Sequence, residues 1–410
     1  MAKSTEGPES PSPQALFEQA VALHGSDDFE GATRQYKQLL EQMPDHPQIL
    51  NMFGLATAEL GNLQKAEEAI EKATKSNPRY GEAWLNLGII RQRAGKLDSA
   101  VEAYSRVRAL EPASPAGHMN FANTCQLLKR FDDAVSAYTQ ALTITPNDPG
   151  IWSSIARAYL HTGNWGKSLN ASDRTLSLSP GNTGALAIRS AALLELGRND
   201  EAATLVDFDR LIECQDFSAP TGFSNLKDFN DALCNHCTAH SSLTYEPSEN
   251  TTMKGHQTGN LSLDEEQGPI AHLLEMIDQA VSDYRKSHPV DPHHPFLTQR
   301  PKSWTYDIWA TVLGSQGHQA PHIHRSGWLS GCYYAKIPDA VAAESSNQAG
   351  WIEFGRPQDN AKANAEPVVR SYQPHEGMVV LFPSYFYHRT EPFESGDKRI
   401  SIAFDIVPAK

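Results

Sequence analysis

Two hydrophobic rhythms divide the chain. In the first half a unit of 34 residues repeats. Pro44, Pro78, Pro112, Pro146 and Pro180 recur at that interval, as do Ala32, Ala66, Ala100 and Ala134. Ala202 falls in phase after Ser168 interrupts the alanine series, and Gly54 and Gly88 stand 12 residues before Ala66 and Ala100. A bulky residue (Leu16, Trp84, Trp152) opens several units. Two helices and a turn fit this length. The small alanines let the helices approach closely, and each proline stops the second helix because it cannot continue the hydrogen-bond ladder. The pattern predicts five units from about residue 13 to 182 and a degenerate sixth from 183 to about 212. Each would bury its apolar stripe only against its neighbours, which predicts a superhelix with a concave groove.

In the second half the period falls to two. From Arg399 to Val407, Ile400, Ile402, Phe404 and Ile406 share one face, and Arg399, Ser401, Ala403 and Asp405 share the other. Leu329–Ala335 (LSGCYYA), Gly350–Gly355 (GWIEFG) and Gly377–Pro383 (GMVVLFP) give further strand signals, the last led by a turn glycine. Strands with one apolar and one polar face suit a jelly-roll barrel whose mouth holds a site. Between residues 213 and 300 we expect a connecting region. It comprises an amphipathic helix at DFNDALCNHCTAH, a strand at Ser242–Tyr245, a polar loop containing TTMKGHQTG, and a bracing helix from Ile270 to Lys286. Residues 1–12 are small, polar and proline-bearing, lack a signal peptide's apolar stretch and read as a disordered lead.

Candidate chemistry concentrates in the strand half. His322 and His324, at i and i+2, point to one face of a strand or strand edge, and His388 can arrive from a distant strand. Three such groups fill one face of a metal's coordination sphere and leave the other open. Arg399 follows His388 by 11 residues; its planar guanidinium can grip a carboxylate through two bonds, and Ser401 shares its face. A buried arginine requires an anion. A lone strand histidine is more often a satisfied polar group than a ligand, and His293-His294 in a proline-rich stretch is read that way. Cys234-x-x-Cys237 with His240 has a metal-like spacing, but no second pair follows, so these residues are read as helix core.

Composition narrows the setting. The 410 residues carry a net charge of −14, which argues against nucleic acid or an anionic membrane as partner. There is no 18-residue apolar run to span a bilayer. Five cysteines, an odd number in a long chain, fit a reducing cytoplasm.

The 34-residue pattern resembles the tetratricopeptide repeat. The set Pro321-His322-Ile323-His324, LSGCYY, GWIEFG, GMVVLFPSYFYH and RISIAF resembles the iron(II)- and 2-oxoglutarate-dependent oxygenases of the bacterial prolyl-hydroxylase-like group. It spans roughly residues 300 to 408, with the stretch from Thr251 to Leu261 added upstream. Together the resemblances imply a multidomain α + β protein. An all-α tetratricopeptide-repeat superhelix (13–212) and a connecting region with bracing helices (213–300) would precede a double-stranded β-helix core (301–410). They imply His322 and His388 as iron ligands, Arg399 and Ser401 as the 2-oxoglutarate anchor, and Tyr334 as a further hydroxyl on the same carboxylate. The family writes a carboxylate two residues after its first histidine, whereas this chain has His324. The third ligand is therefore His324, water, or a carboxylate such as Glu353 or Asp405. Trp309, Trp328 and Trp351 are expected pocket walls. The implied activity is O2-dependent C–H hydroxylation with release of succinate and CO2. The substrate would be a protein or peptide side chain recruited by the repeat groove, with a small molecule the other option, and the groove could instead bind a second copy of the chain. A repeat scaffold with a degenerate barrel and a three-histidine cupin-type dioxygenase without 2-oxoglutarate are the alternatives.

Overall fold

The computed structural model describes residues 12–247, 251–342, 348–358 and 362–409. The lead at residues 1–11 lies outside the described residues. The 34-residue period reappears as helix starts. First helices are α1 (Pro13–Gly25), α3 (Pro47–Glu59), α5 (Gly81–Arg93), α7 (Pro115–Leu127), α9 (Pro149–His161) and α11 (Thr183–Glu195). Second helices are α2 (Phe29–Gln42), α4 (Leu63–Ser76), α6 (Leu97–Leu110), α8 (Phe131–Ile144), α10 (Trp165–Leu178) and the short α12 (Asn199–Leu205). The phased prolines sit two residues beyond the second helices, as their missing N–H demands. Ala32, Ala66, Ala100, Ala134 and Ala202 are fully buried. At Gly54 a Cβ would come within 2.4 Å of Ile70 Cγ1, and at Gly88 within 2.4 Å of the Tyr104 ring, so hydrogen at these positions lets the paired helix seat a large side chain.

The chain divides into two compact units after Ala158. The second unit holds α10 to α12, a short α13 (Phe208–Leu211), α14 (Leu226–Ala239), α15 (Pro269–Ser287) and an antiparallel sheet. Its strands are β1 (Glu213–Asp216), β2 (Thr244–Tyr245), β3 (Thr252–Gln257), β4 (Trp304–His322), β5 (Leu329–Lys336), β6 (Ile352–Phe354), β7 (Arg370–Tyr372), β8 (Met378–Pro383), β9 (His388–Thr390) and β10 (Arg399–Pro408). Their order is β1-β8-β5-β10-β4-β9-β6-β7, with β3 also on β4 and β2 on β3. Helix α14 buries Phe229, Asn230, Leu233 and Cys237, and α15 spans the expected bracing segment.

The polar loop expected at TTMKGHQTG is instead strand β3, whose Gly255, His256 and Gln257 face Leu313, Val312 and Thr311 of β4. Its main partner β4 lies more than 50 residues away, its nearer partner β2 is only two residues long, and without an apolar face β3 has no local strand signal. The long β4 does most to position the site. Residues 304–313 pair with β10, whereas Gln319 and His322 pair with β9. Gln316, in the left-handed region at φ 63°, lies in the passage from one partner to the other. No helix among the described residues is long and apolar enough to cross a membrane.

Candidate functional site

Register creates the cluster. His322, the last residue of β4, lies directly opposite His388, the first residue of β9. His324 lies two residues past the end of β4, its backbone N–H donating to the carbonyl of Ser384 at 3.0 Å. The ring centroids of His322 and His388 are 4.2 Å apart, those of His322 and His324 5.1 Å, and those of His324 and His388 4.9 Å. One nitrogen from each ring lies within 4.8 Å of the other two; among the described residues this is the one group of three or more potential metal donors.

The surroundings fix which nitrogen is bare. Nδ1 of His322 is 2.8 Å from the Ala320 carbonyl, and Nδ1 of His388 is 3.1 Å from the Phe386 carbonyl. Nδ1 of His324 is 2.5 Å from Oδ1 of Asp405, which also accepts from Ser330 Oγ at 2.6 Å. Carbonyl and carboxylate oxygens only accept, so each Nδ1 carries a proton and donates it. Burial, reinforced by the neighbouring imidazoles, lowers the pKa of His322 to about 3 and takes His388 well below its usual range. Both are therefore neutral, with Nε2 unprotonated. Nε2 of His322 stands 3.1 Å from Nε2 of His324. Nitrogens bound about 2.1 Å from one ion at right angles lie about 3 Å apart. Lone pairs facing one another in a buried space suit a cation, and backbone or carboxylate acceptors behind each ring are the usual support of metal-bound histidine.

The second part of the site lies on three adjacent strands. Ser401 of β10 faces Thr311 of β4 on one side and Tyr334 of β5 on the other. Arg399 is 1% exposed, donates from Nη1 to Ser401 Oγ at 3.2 Å and places its Cζ 5.0 Å from the Tyr334 ring centre. Among the described residues no carboxylate pairs with it. The Arg399 Nε, the Tyr334 hydroxyl and the Thr311 hydroxyl are buried without a hydrogen-bond partner. A buried, uncompensated guanidinium beside two idle hydroxyls is costly unless an anion joins them. These residues therefore fit a carboxylate, and the histidines fit a divalent metal.

A narrow cavity of about 20 Å³ is lined by the three histidines together with Tyr334 and Arg399. A wider opening of about 290 Å³ shares Trp309, Gln319, His322 and His324 with it and adds Thr251, Gln257, Gln358 and Tyr387. Trp309 is thus a wall, its ring centre 5.4 Å from that of His324. The other two tryptophans expected there line neither space. Trp328 stacks on Phe296 at 5.6 Å and bounds a separate cavity with Leu186 and Arg300. Trp351 immediately precedes β6, and its carbonyl accepts from the Glu391 N–H at 3.0 Å. Neither belongs to the alternating run that carries Trp309 and Thr311 to the inner face. Glu353 is engaged by Arg356 at 2.8 Å and Arg389 at 2.7 Å, and Asp405 by His324 and Ser330. Sequence reasoning missed Thr311 and the Ser330–Asp405–His324 relay. The strand alternation of β4 could have flagged Thr311; the relay had no local signal.

Residues 307–405 match the family model described as "Putative 2OG-Fe(II) oxygenase". Residues 2–210, just over half of the chain, match the model described as "Cilia and flagella-associated protein 70 C-terminal domain". No curated protein matches. Similar solved structures include MamA, 22% identical over 40% of this chain and 91% of its own, with a TM-score of 0.39. YrrB, titled a TPR protein with an unusual peptide-binding site, is 18% identical over 43% of this chain and 90% of its own, with a TM-score of 0.40.

Proposed function

Because the chain belongs to the Cilia and flagella-associated protein 70 C-terminal domain family through its repeat half and carries an oxygenase match over its sheet half, we propose that it is an iron(II)- and 2-oxoglutarate-dependent hydroxylase. The single observation that carries the reading is the pairing of three converging imidazoles with a buried arginine that no carboxylate among the described residues pairs, both on one cavity. Iron(II) with 2-oxoglutarate and O2 supplies C–H hydroxylation, releasing succinate and CO2.

The chain's own residues have separable tasks. His322, His324 and His388 hold the metal, with Asp405 fixing the tautomer of His324 and lending negative charge through it. Three imidazoles with no directly bound carboxylate offset little of the metal's charge, so a dianionic co-substrate is favoured beside them. Arg399 and Ser401 hold its distal carboxylate, with the Tyr334 hydroxyl as a third donor. Phe354 and Phe382, packed 6.0 and 4.7 Å from the His388 ring, exclude water behind the site. The wider opening, walled by Trp309 and carrying Gln257, Gln319 and Gln358, admits the substrate.

The proposed division is a recruiting array at 13–212, a connecting region at 213–300 and a double-stranded β-helix core at 301–410. The array would present a protein or peptide side chain to the core. Five free thiols support a cytoplasmic setting.

Anaerobic iron(II) titration with and without 2-oxoglutarate tests the reading. A weak visible charge-transfer band is expected only when both are present. His388→Ala should abolish it. Arg399→Ala should retain iron but bind 2-oxoglutarate about 10- to 100-fold more weakly, the range for losing charge-assisted hydrogen bonds. Undiminished co-substrate affinity in that variant rejects the clamp. Iron binding unaffected by His388→Ala rejects the metal centre, and a chain binding neither ligand is the degenerate scaffold.

A further inference from the structure

The last helices of the array end on groups from α15, the segment that follows it and the turn between β8 and β9. A helix C-terminus leaves carbonyls without partners. Here donors from the sheet half supply them. His294 Nε2 donates to the Thr204 carbonyl at 2.9 Å, and the Tyr385 hydroxyl donates to the Leu205 carbonyl. His288 Nε2 donates to Arg210 at 2.6 Å and the Tyr284 hydroxyl to Leu211 at 2.9 Å. Phe208, 4% exposed, is pinned between the two capped pairs.

Its ring meets Phe386 edge-on at 5.0 Å and Phe354 at 6.5 Å. Both contacts lead to one imidazole. The Phe386 carbonyl accepts the Nδ1 proton of His388 at 3.1 Å, and the Phe354 ring lies 6.0 Å from the His388 ring. The same packing constrains the neighbouring turn. Gly355 has φ +98° and donates its N–H to the Tyr387 carbonyl at 2.8 Å; a Cβ there would come within 2.0 Å of the Val368 carbonyl and 3.0 Å of the Phe208 ring.

We propose that Phe208, a residue of the repeat half, is a positioning residue for His388. It holds the Phe386 carbonyl where that carbonyl fixes the tautomer and aim of the imidazole. The inference rests on reading the three imidazoles as a metal centre. With Phe208 removed, the segment from Tyr385 to Tyr387 loses its apolar backing and His388 loses its fixed acceptor. The site then binds metal less tightly, although no ligand has been changed.

The test uses the full chain and cobalt(II) as probe, followed by its visible d–d absorption and by competition with a chelator. Phe208→Ala should bind cobalt about tenfold more weakly, the lower end of what loss of a ligand's hydrogen-bonded support costs, with an altered band shape. Phe208→Met, which keeps most of the volume, should restore both to within about twofold. Phe53→Ala, an equally apolar change buried in the first unit, should leave both unchanged. Wild-type affinity and spectrum in Phe208→Ala overturn the proposal. If that variant does not fold, the milder truncation Phe208→Val replaces it: a weakened or distorted cobalt spectrum in folded Phe208→Val supports the proposal and an unaltered one overturns it. Cobalt binding that survives His388→Ala instead rejects the metal centre itself, so the two failures are distinguishable.

Discussion

At Asp405 one carboxylate oxygen accepts from both Ser330 and His324, and the residue directly across on β4 is another acid, Asp307. Burial, with a contribution from Asp405, raises the Asp307 carboxyl above its usual range. Asp405 is thus the acceptor that commits His324 to presenting Nε2. Asp405→Asn keeps the size but offers an amide that can donate as well as accept, which frees the imidazole to change tautomer. Metal affinity, measured by competition with a chelator, should fall about 10- to 100-fold. Thermal stability should change much less than metal affinity. Unchanged affinity would reduce Asp405 to a partner for Ser330. The alternation of β10 put Asp405 on the site face beside Arg399 and Ser401, so its location was legible. Its partner was not, because His324 approaches from outside any strand.

At the scale of elements, the 34-residue period fixes where helices start but leaves the reason for each small residue to the packing. Gly54 and Gly166 make opposite predictions. Ala at Gly54 gains helix propensity but drives its Cβ against the buried Ile70, so destabilisation of about 1 kcal/mol is expected on balance. At Gly166 in α10 nothing lies within 4 Å, and Ala should stabilise by about 0.5 kcal/mol. Urea midpoints of the two variants check the signs; stabilisation by Gly54→Ala would mean that Ile70 yields without cost. Strand β3 shows the limit of element reading. Helical stripes and apolar alternation are written locally, whereas β3 exists because β4 offers an unpaired edge.

For the molecule as a whole, the compact units divide within α9, so α10 to α13 pack with the sheet. Four carbonyls of α12 and α13 are capped by Tyr284, His288, His294 and Tyr385. A chain of residues 213–410 would lose those bonds and expose to water the apolar groups that α12 and α13 cover, Phe386 and Phe354 among them. It should be insoluble or fail to bind cobalt, whereas residues 159–410 should remain soluble and bind it. Solubility and cobalt titration of both chains decide the point; a well-behaved 213–410 would show that the repeat half contributes nothing to the centre.

By itself the sequence determined the helix period, the strand faces and the donor atoms available, because these follow from side chains 2, 3 or 34 positions apart on one backbone. Tertiary structure alone decided that His322 meets His388, that Arg399 has no carboxylate partner among the described residues, that Trp309 walls the cavity while Trp328 and Trp351 do not, and that Phe208 backs the loop before His388. Those relations depend on the register of β4 with β10 and on its register with β9. A shift of one residue in either would turn each side chain to the opposite face without altering any local pattern.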